Sequence, residues 1–368
     1  MKYIKQAMEV KYKKQLEALS CNDTEIKPLN WKLSPKAVRL FILGCDKPIN
    51  YNGEDVYINK KYFGNDALVE RCIVTLATNR GLMLVGEPGT AKTMLSELLA
   101  SAISGISTNT IQGSAGTTED MIKYSFNYAL LLEKGPVLET LVPAPLYTGM
   151  SQGIITRFEE ITRTPAEIQD SLISVLSDKV LNIPELHQDN ILFAKPGFNI
   201  IATANTRDKG VNEMSSALKR RLNFETVNPI DNIKLETEII MTQVKELATE
   251  NMIEMSPQKD IAELIATIYH ELRTGESITG EKVNKPSNVM STAEAVAVYY
   301  QTMISGYYYK DGNISLEDLV SNIVNATAKE NTDDLVCIKN YFNTVVKNRG
   351  SNEENIWTKL FQMKKLIK

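Results

Sequence analysis

The sequence predicts an α/β protein with a parallel sheet between helices, followed by a helical domain. Three observations predict it. Short apolar runs of strand type (Leu82 to Val85, Ile154 to Phe158, Phe198 to Thr203) alternate with segments of helical periodicity, the order that builds a parallel sheet covered on both faces. From Asn232 onward the pattern is nearly all helical, with Gly and Pro confined to breaks such as Gly280 to Pro286. Between the first of those strands and its helix stands Gly86-Glu87-Pro88-Gly89-Thr90-Ala91-Lys92-Thr93, a turn that follows the form G-x-x-x-x-G-K-[ST] except that Ala91 stands at the last glycine. These features divide the 368 residues into an N-terminal helical extension (1–59), an α/β domain (60–230) and a helical domain (231–368).

Taken in order, residues 1–20 read as a Lys-rich amphipathic helix with Ile4, Met8, Leu16 and Leu19 on one side, a surface helix in preference to a membrane-binding one. Ser34-Pro35 opens a second helix to Leu43, and Val56-Tyr57-Ile58 is a short strand among turns. Asp66 to Arg80 is helical, with Leu68, Cys72, Ile73 and Leu76 inward and Gly81 ending it. After the glycine-rich turn, Leu95, Leu98, Leu99, Ala102 and Ile103 recur at helical spacing, and Thr108 to Gly113 is the next strand. Thr117 caps a helix carrying Ile122, Phe126, Ala129 and Leu130 as far as Gly135-Pro136, and the stretch to Gly153 is hairpin-like. Thr164-Pro165-Ala166-Glu167 is a capping box with Pro at the first helical position. Val180 to Pro184 and Ile191 to Phe193 form a hairpin around His187-Gln188-Asp189-Asn190. A short helix from Ser216 to Arg221 precedes the last strand, Phe224 to Val227.

Composition excludes several kinds of function. With 41 Lys and Arg against 45 Asp and Glu the net charge is −4, which argues against a basic nucleic-acid footprint. No apolar run approaches the roughly 18 residues of a membrane span, and no apolar segment of a secretory signal follows the basic start. Cys21, Cys45, Cys72 and Cys337 lie far apart and read as reduced thiols of a cytoplasmic protein. His187 and His270 are the only histidines, so any chemistry runs on carboxylates, Lys, Arg and a metal.

The glycine-rich turn favours anion capture, because successive main-chain N–H groups point inward and the following helix presents its positive end. Lys92 is placed to reach the β- and γ-phosphates of a nucleotide, and the Thr93 hydroxyl to be a Mg²⁺ ligand. Glu159-Glu160 end an apolar strand, where ligands sit in open α/β sheets. The first acid is expected to orient Mg²⁺ through its water shell and the second to activate the attacking water. Asn205, ending the next strand, is the candidate to orient that water or read the γ-phosphate. Arg220 and Arg221 are candidates for an arginine finger acting in a neighbouring subunit, with Arg221 favoured.

In this order the stretch from about Lys60 to Pro229 resembles the AAA+ ATPases, and more narrowly the MoxR-like branch. Gly86 to Thr93 corresponds to Walker A, Ile155 to Glu160 to Walker B, Asn205 to sensor 1 and Leu218 to Leu222 to the arginine-finger segment. Glu160-Ile161-Thr162-Arg163-Thr164-Pro165 is similar to the E-I-N-R-A-P run of that branch, and the Val180 to Phe193 hairpin to its pre-sensor-1 insertion. The resemblance implies a P-loop AAA+ domain with a helical lid, in a homo-oligomeric ring, usually hexameric, with ATP and Mg²⁺ at each subunit junction. It also implies remodelling of a protein client, with a von Willebrand A domain partner. Beyond Ala91, the chain departs from the pattern in three places. Glu159 stands for the usual Asp, Thr162 for the usual Asn, and Pro286 to Ala293 carries no sensor 2 Arg, for which Lys282 or Lys285 could substitute. Asn205-Thr206-Arg207-Asp208 is also similar to the N-x-x-D signature of McrB-type GTPases, which leaves a nucleic-acid motor as an alternative. A weakly hydrolysing, nucleotide-gated scaffold is the third reading.

Overall fold

The computed structural model describes residues 5–186, 190–205, 212–288, 290–329, 331–350 and 355–367. The chain divides into two compact units, Met1–Glu87 with Ala91–Asn228, and Pro229–Lys368 with Pro88–Thr90.

The first unit is built on five parallel strands: β1 (Gly81–Gly86), β2 (Thr110–Gln112), β3 (Ile155–Glu159), β4 (Asn199–Asn205) and β5 (Leu222–Thr226). They lie in the order β5-β1-β4-β3-β2, so the strand bearing the glycine-rich turn is central. Their side chains alternate between two apolar layers, as the period of two requires. Leu82, Leu84, Ile155 and Ile201 join one core with Leu95, Leu98 and Leu99 of the helix Lys92–Ser104. Met83, Phe158, Ile200 and Ala202 join the other with Leu172, Val175 and Leu176. This is the P-loop AAA+ fold expected from the sequence, with a helical region following it.

Several elements differ from their sequence expectation. The first 59 residues are no separate extension, because Ala18, Leu19, Phe41 and Ile42 are buried in the same core as Leu95. Their helices are Met8–Lys11, Lys13–Asn22 and Pro35–Leu43, the last capped by Ser34. The strand expected at Val56 to Ile58 lies at Glu54–Val56, paired antiparallel with Ile49–Tyr51. The helix expected to run from Thr117 past Leu130 is interrupted by a strand, Tyr124–Phe126, that pairs with Leu141–Pro143. Asn127 then starts a new helix, Tyr128–Lys134, by accepting from the N–H groups of Ala129 and Leu130. Pairing between distant segments overrode a locally helical pattern there. The expected hairpin forms between Val180–Asn182 and Ile191–Phe193, with Val180 opposite Phe193, and its tip, His187 to Asp189, lies outside the described residues.

The second unit is helical among the described residues, with long helices Ile233–Glu250, Lys259–Thr274, Thr292–Tyr309 and Leu316–Ala328. In Lys259–Thr274 the buried Ile261, Leu264, Ile265, Ile268 and Leu272 recur at helical spacing and meet Tyr299, Tyr341 and Phe342 in one core. Ser291 and Glu294 form a reciprocal capping box at the start of Thr292–Tyr309. No helix among the described residues is long and apolar enough to cross a membrane.

Candidate functional site

The site lies at the C-terminal ends of β1, β3 and β4. Parallel register puts Asn205 beside Gly86, so the end of β4 abuts the start of the glycine-rich turn. Gly89 (φ 75°) and Ala91 (φ 65°) both adopt left-handed backbone in that turn, the curl that points neighbouring N–H groups to one side. For Gly89 that conformation is free of steric cost, whereas at Ala91 it is held against a Cβ penalty of about 1–2 kcal/mol. Lys92 opens the helix, is buried, and donates from Nζ to the carbonyl oxygens of Gly86 (3.1 Å) and Glu87 (2.7 Å). Its ammonium thus spans the turn from inside.

Ile155, Arg157 and Glu159 share one face of β3, and Ile201, Thr203 and Asn205 share the corresponding face of β4. Ile155 and Ile201 pack under the helix Lys92–Ser104, so the polar residues beyond them face the first turns of that helix. Glu159 is 5% exposed and its two oxygens are fully engaged. Oε2 accepts from Thr93 Oγ1 (3.0 Å) and Thr203 Oγ1 (2.7 Å). Oε1 accepts from Ser96 Oγ (2.8 Å) and Arg157 Nη2 (2.6 Å). Burial pushes the Glu159 carboxyl up, but the Arg157 guanidinium and the hydroxyls of Thr203 and Ser96 outweigh it and hold the group below its ordinary 4.5. The acid is therefore a carboxylate at neutral pH, one hydrogen bond from Thr93.

That pair suits a hard divalent cation. Hydroxyl and carboxylate oxygens are the ligands Mg²⁺ takes, and Mg²⁺ keeps several waters instead of demanding an all-protein cage. Among the described residues no group of three or more His, Cys, Asp or Glu side chains could hold a metal.

Glu160 follows in left-handed backbone (φ 54°, ψ 43°), which turns its side chain out of the strand direction. Its N–H donates to Thr203 Oγ1 (3.0 Å), and its carboxylate pairs with Arg163 Nε (2.8 Å), with about a third of the side chain exposed (32%). Thr203 thus binds both acids at once. Arg220 and Arg221 are not brought to this cluster. The register Leu222 with Gly81 puts them at the opposite end of the sheet, about 17 Å along the strands from the turn. Arg221 bonds through Nε to Ser177 Oγ and through Nη1 to the Ala217 carbonyl (2.6 Å), while Arg220 is exposed. In the second unit Lys282 and Lys285 are both exposed. Of the Asn205 to Asp208 run, Thr206, Arg207 and Asp208 lie outside the described residues.

Sequence reasoning overlooked Ser96, Arg157 and Thr203. The signal was available: Ser96 is one helical turn beyond Thr93, and Arg157 and Thr203 each stand two residues before a candidate on the same strand face.

Known proteins give independent points of comparison. Residues 81–222 match the AAA domain family of the dynein-related subfamily, and residues 234–368 match the YehL-like AAA+ ATPase C-terminal domain. The chain is 46% identical to the "uncharacterized protein YehL" of Escherichia coli K12 over 96% of its own length and 94% of that protein's. It is 27% identical to an uncharacterized protein of Staphylococcus haemolyticus, over 60% of this chain and 87% of that one. Among solved structures, NtrX from Brucella abortus in complex with ADP aligns with 82% of this chain and 67% of its own, at 14% identity and a TM-score of 0.48.

Proposed function

The chain belongs to the YehL-like AAA+ ATPases, and from that premise we propose that it hydrolyses Mg-ATP at the junctions of a homo-oligomeric ring, as MoxR-like ATPases do. The stroke would remodel or activate a protein client, with a von Willebrand A domain protein as partner and residues 231–368 as the lid. The observation that carries the nucleotide reading is the 3.0 Å contact of Thr93 Oγ1 with Glu159 Oε2 beside the turn spanned by Lys92.

Each residue then has a role that its position supports. Main-chain N–H groups of the turn and Lys92 Nζ hold the phosphates, the ammonium exchanging its carbonyl partners for phosphate oxygens. Thr93 and Glu159 would hold Mg²⁺, which would supply charge neutralisation to the bound phosphates. Glu160 accepts the proton of the attacking water once its carboxylate leaves Arg163, a rotation its partial exposure permits. Asn205, fixed beside Gly86, orients that water. Arg221, with Arg220 next to it, lies too far from its own turn to act there and stabilises transition-state charge in the neighbouring subunit.

The test is Glu160→Gln. The variant should bind ATP as the unaltered protein does while turnover falls by about 10²-fold or more, the scale of a lost general base. Turnover that survives the change would remove Glu160 from that role.

A further inference from the structure

Arg157 is a full charge inside a central strand, and nucleotide binding by itself does not call for it. Its side chain is 5% exposed and each of its nitrogens has a partner. Nε donates to Ser96 Oγ (2.9 Å), Nη1 to the Ser107 carbonyl (2.7 Å) and Nη2 to Glu159 Oε1 (2.6 Å). The Ser107 main-chain carbonyl anchors the guanidinium from outside the acid cluster, so Arg157 can serve as a reference point for Glu159.

The consequence falls on Glu159. A carboxylate at the end of a flexible stem rotates freely about its last torsion, and nothing intrinsic decides which oxygen faces Thr93. Here Arg157 and Ser96 take Oε1, leaving Oε2 for Thr93 and Thr203. The same partition requires reach. The carboxylate must span from the Arg157 guanidinium to the Thr93 hydroxyl, and an aspartate, one methylene shorter on the same strand position, would keep one contact by giving up the other.

We propose that Arg157 is a positioning residue that fixes the Glu159 carboxylate at the metal site and makes glutamate, not aspartate, the acid this site needs. The inference rests on the reading of Thr93 and Glu159 as the Mg²⁺-holding pair. Ser96 belongs to the same device, since its hydroxyl accepts from Arg157 and donates to Glu159.

The test is a double-mutant cycle of Arg157→Met and Glu159→Asp in the full chain, with Arg157→Lys as a conservative third change. Four quantities are read: the Mg²⁺ concentration that half-saturates the strengthening of ADP binding by calorimetry, kcat and KM for ATP, and the thermal midpoint without ligand. Each single change should raise the half-saturating Mg²⁺ about tenfold, the usual scale for losing a partner that orients a metal ligand. In kinetics kcat should fall while KM for ATP stays nearly unchanged, because the phosphate grip is main-chain and Lys92. The double variant should sit within about twofold of the worse single one, because without Arg157 the shorter acid has nothing to be pulled away from. Arg157→Lys should recover part of the Arg157→Met loss. Penalties that multiply to about 100-fold, or an Arg157→Met protein within about twofold of the unaltered one, would overturn the proposal. If the melting curve shows that Arg157→Met does not fold, Arg157→Lys with and without Glu159→Asp makes the same comparison. Unaltered protein that binds ADP without any response to Mg²⁺ would instead overturn the metal reading beneath it, an outcome distinct from every result of the cycle.

Discussion

Each unit buries a carboxylate against an arginine: Glu159 with Arg157 at 2.6 Å in the first, Glu236 with Arg273 at 2.7 Å in the second. The remaining partners differ. Arg273 also donates to the carbonyls of Met290 (2.7 Å) and Ile230 (2.8 Å), and Glu236 also accepts from Thr292 Oγ1 (2.7 Å). Glu271, equally buried, accepts from the Ile278 N–H (2.6 Å), the Tyr341 hydroxyl (2.6 Å) and Arg349. Glu236 through Arg273, and Glu271 through the Ile278 N–H, are tied to main-chain groups at helix ends and chain turns, and contacts of that kind are released only when the segment unfolds. Glu159 instead meets three hydroxyls, of Thr93, Ser96 and Thr203, each able to rotate toward a cation or water. Burial and an ion pair alone do not mark a site, whereas exchangeable partners at a sheet end do.

That contrast can be broken or sharpened by substitution. The largest stability effect belongs to Glu236→Ala, which strands the buried Arg273 charge and should cost about 3–5 kcal/mol by urea unfolding. Glu159→Gln keeps volume and can still accept from Arg157, so its cost should be smaller, about 1–3 kcal/mol, while Mg²⁺-dependent nucleotide binding is lost. A Glu159→Gln protein that binds nucleotide with unaltered Mg²⁺ dependence would turn this acid into a strut like Glu236. Thr203→Val removes a hydroxyl that serves Glu159 and the Glu160 N–H together, and a loss of about 1–3 kcal/mol in the same assay is expected. The smallest effect is a rate of labelling. Burial pushes the Cys72 thiol up to about 12, so alkylation at pH 8 should spare Cys72 and modify exposed Cys21 until the first unit opens.

Much of this arrangement was legible in the sequence because it is local. The turn from Gly86 to Thr93, the acids ending β3 and the Asn ending β4 are each announced by an apolar run and a break, and parallel register then brings them together. The interruption at Tyr124–Phe126 was not legible, since its partner strand lies some fifteen residues away and the local spacing is helical. Arg157 was overlooked for a different reason. Within an apolar strand it looks like an irregularity, and only the fold shows Ser96 and the Ser107 carbonyl closing around it. The N-terminal 59 residues were set apart from the α/β domain, but Ala18, Leu19, Phe41 and Ile42 among them serve the same core as the helix that follows the turn.

Titrating ATP into the full chain with and without Mg²⁺ tests whether a nucleoside triphosphate is gripped between the turn and the Thr93–Glu159 pair. The expected result is one site per chain, strengthened by Mg²⁺ and abolished by Lys92→Ala. No triphosphate binding, or binding indifferent to Lys92, would contradict it.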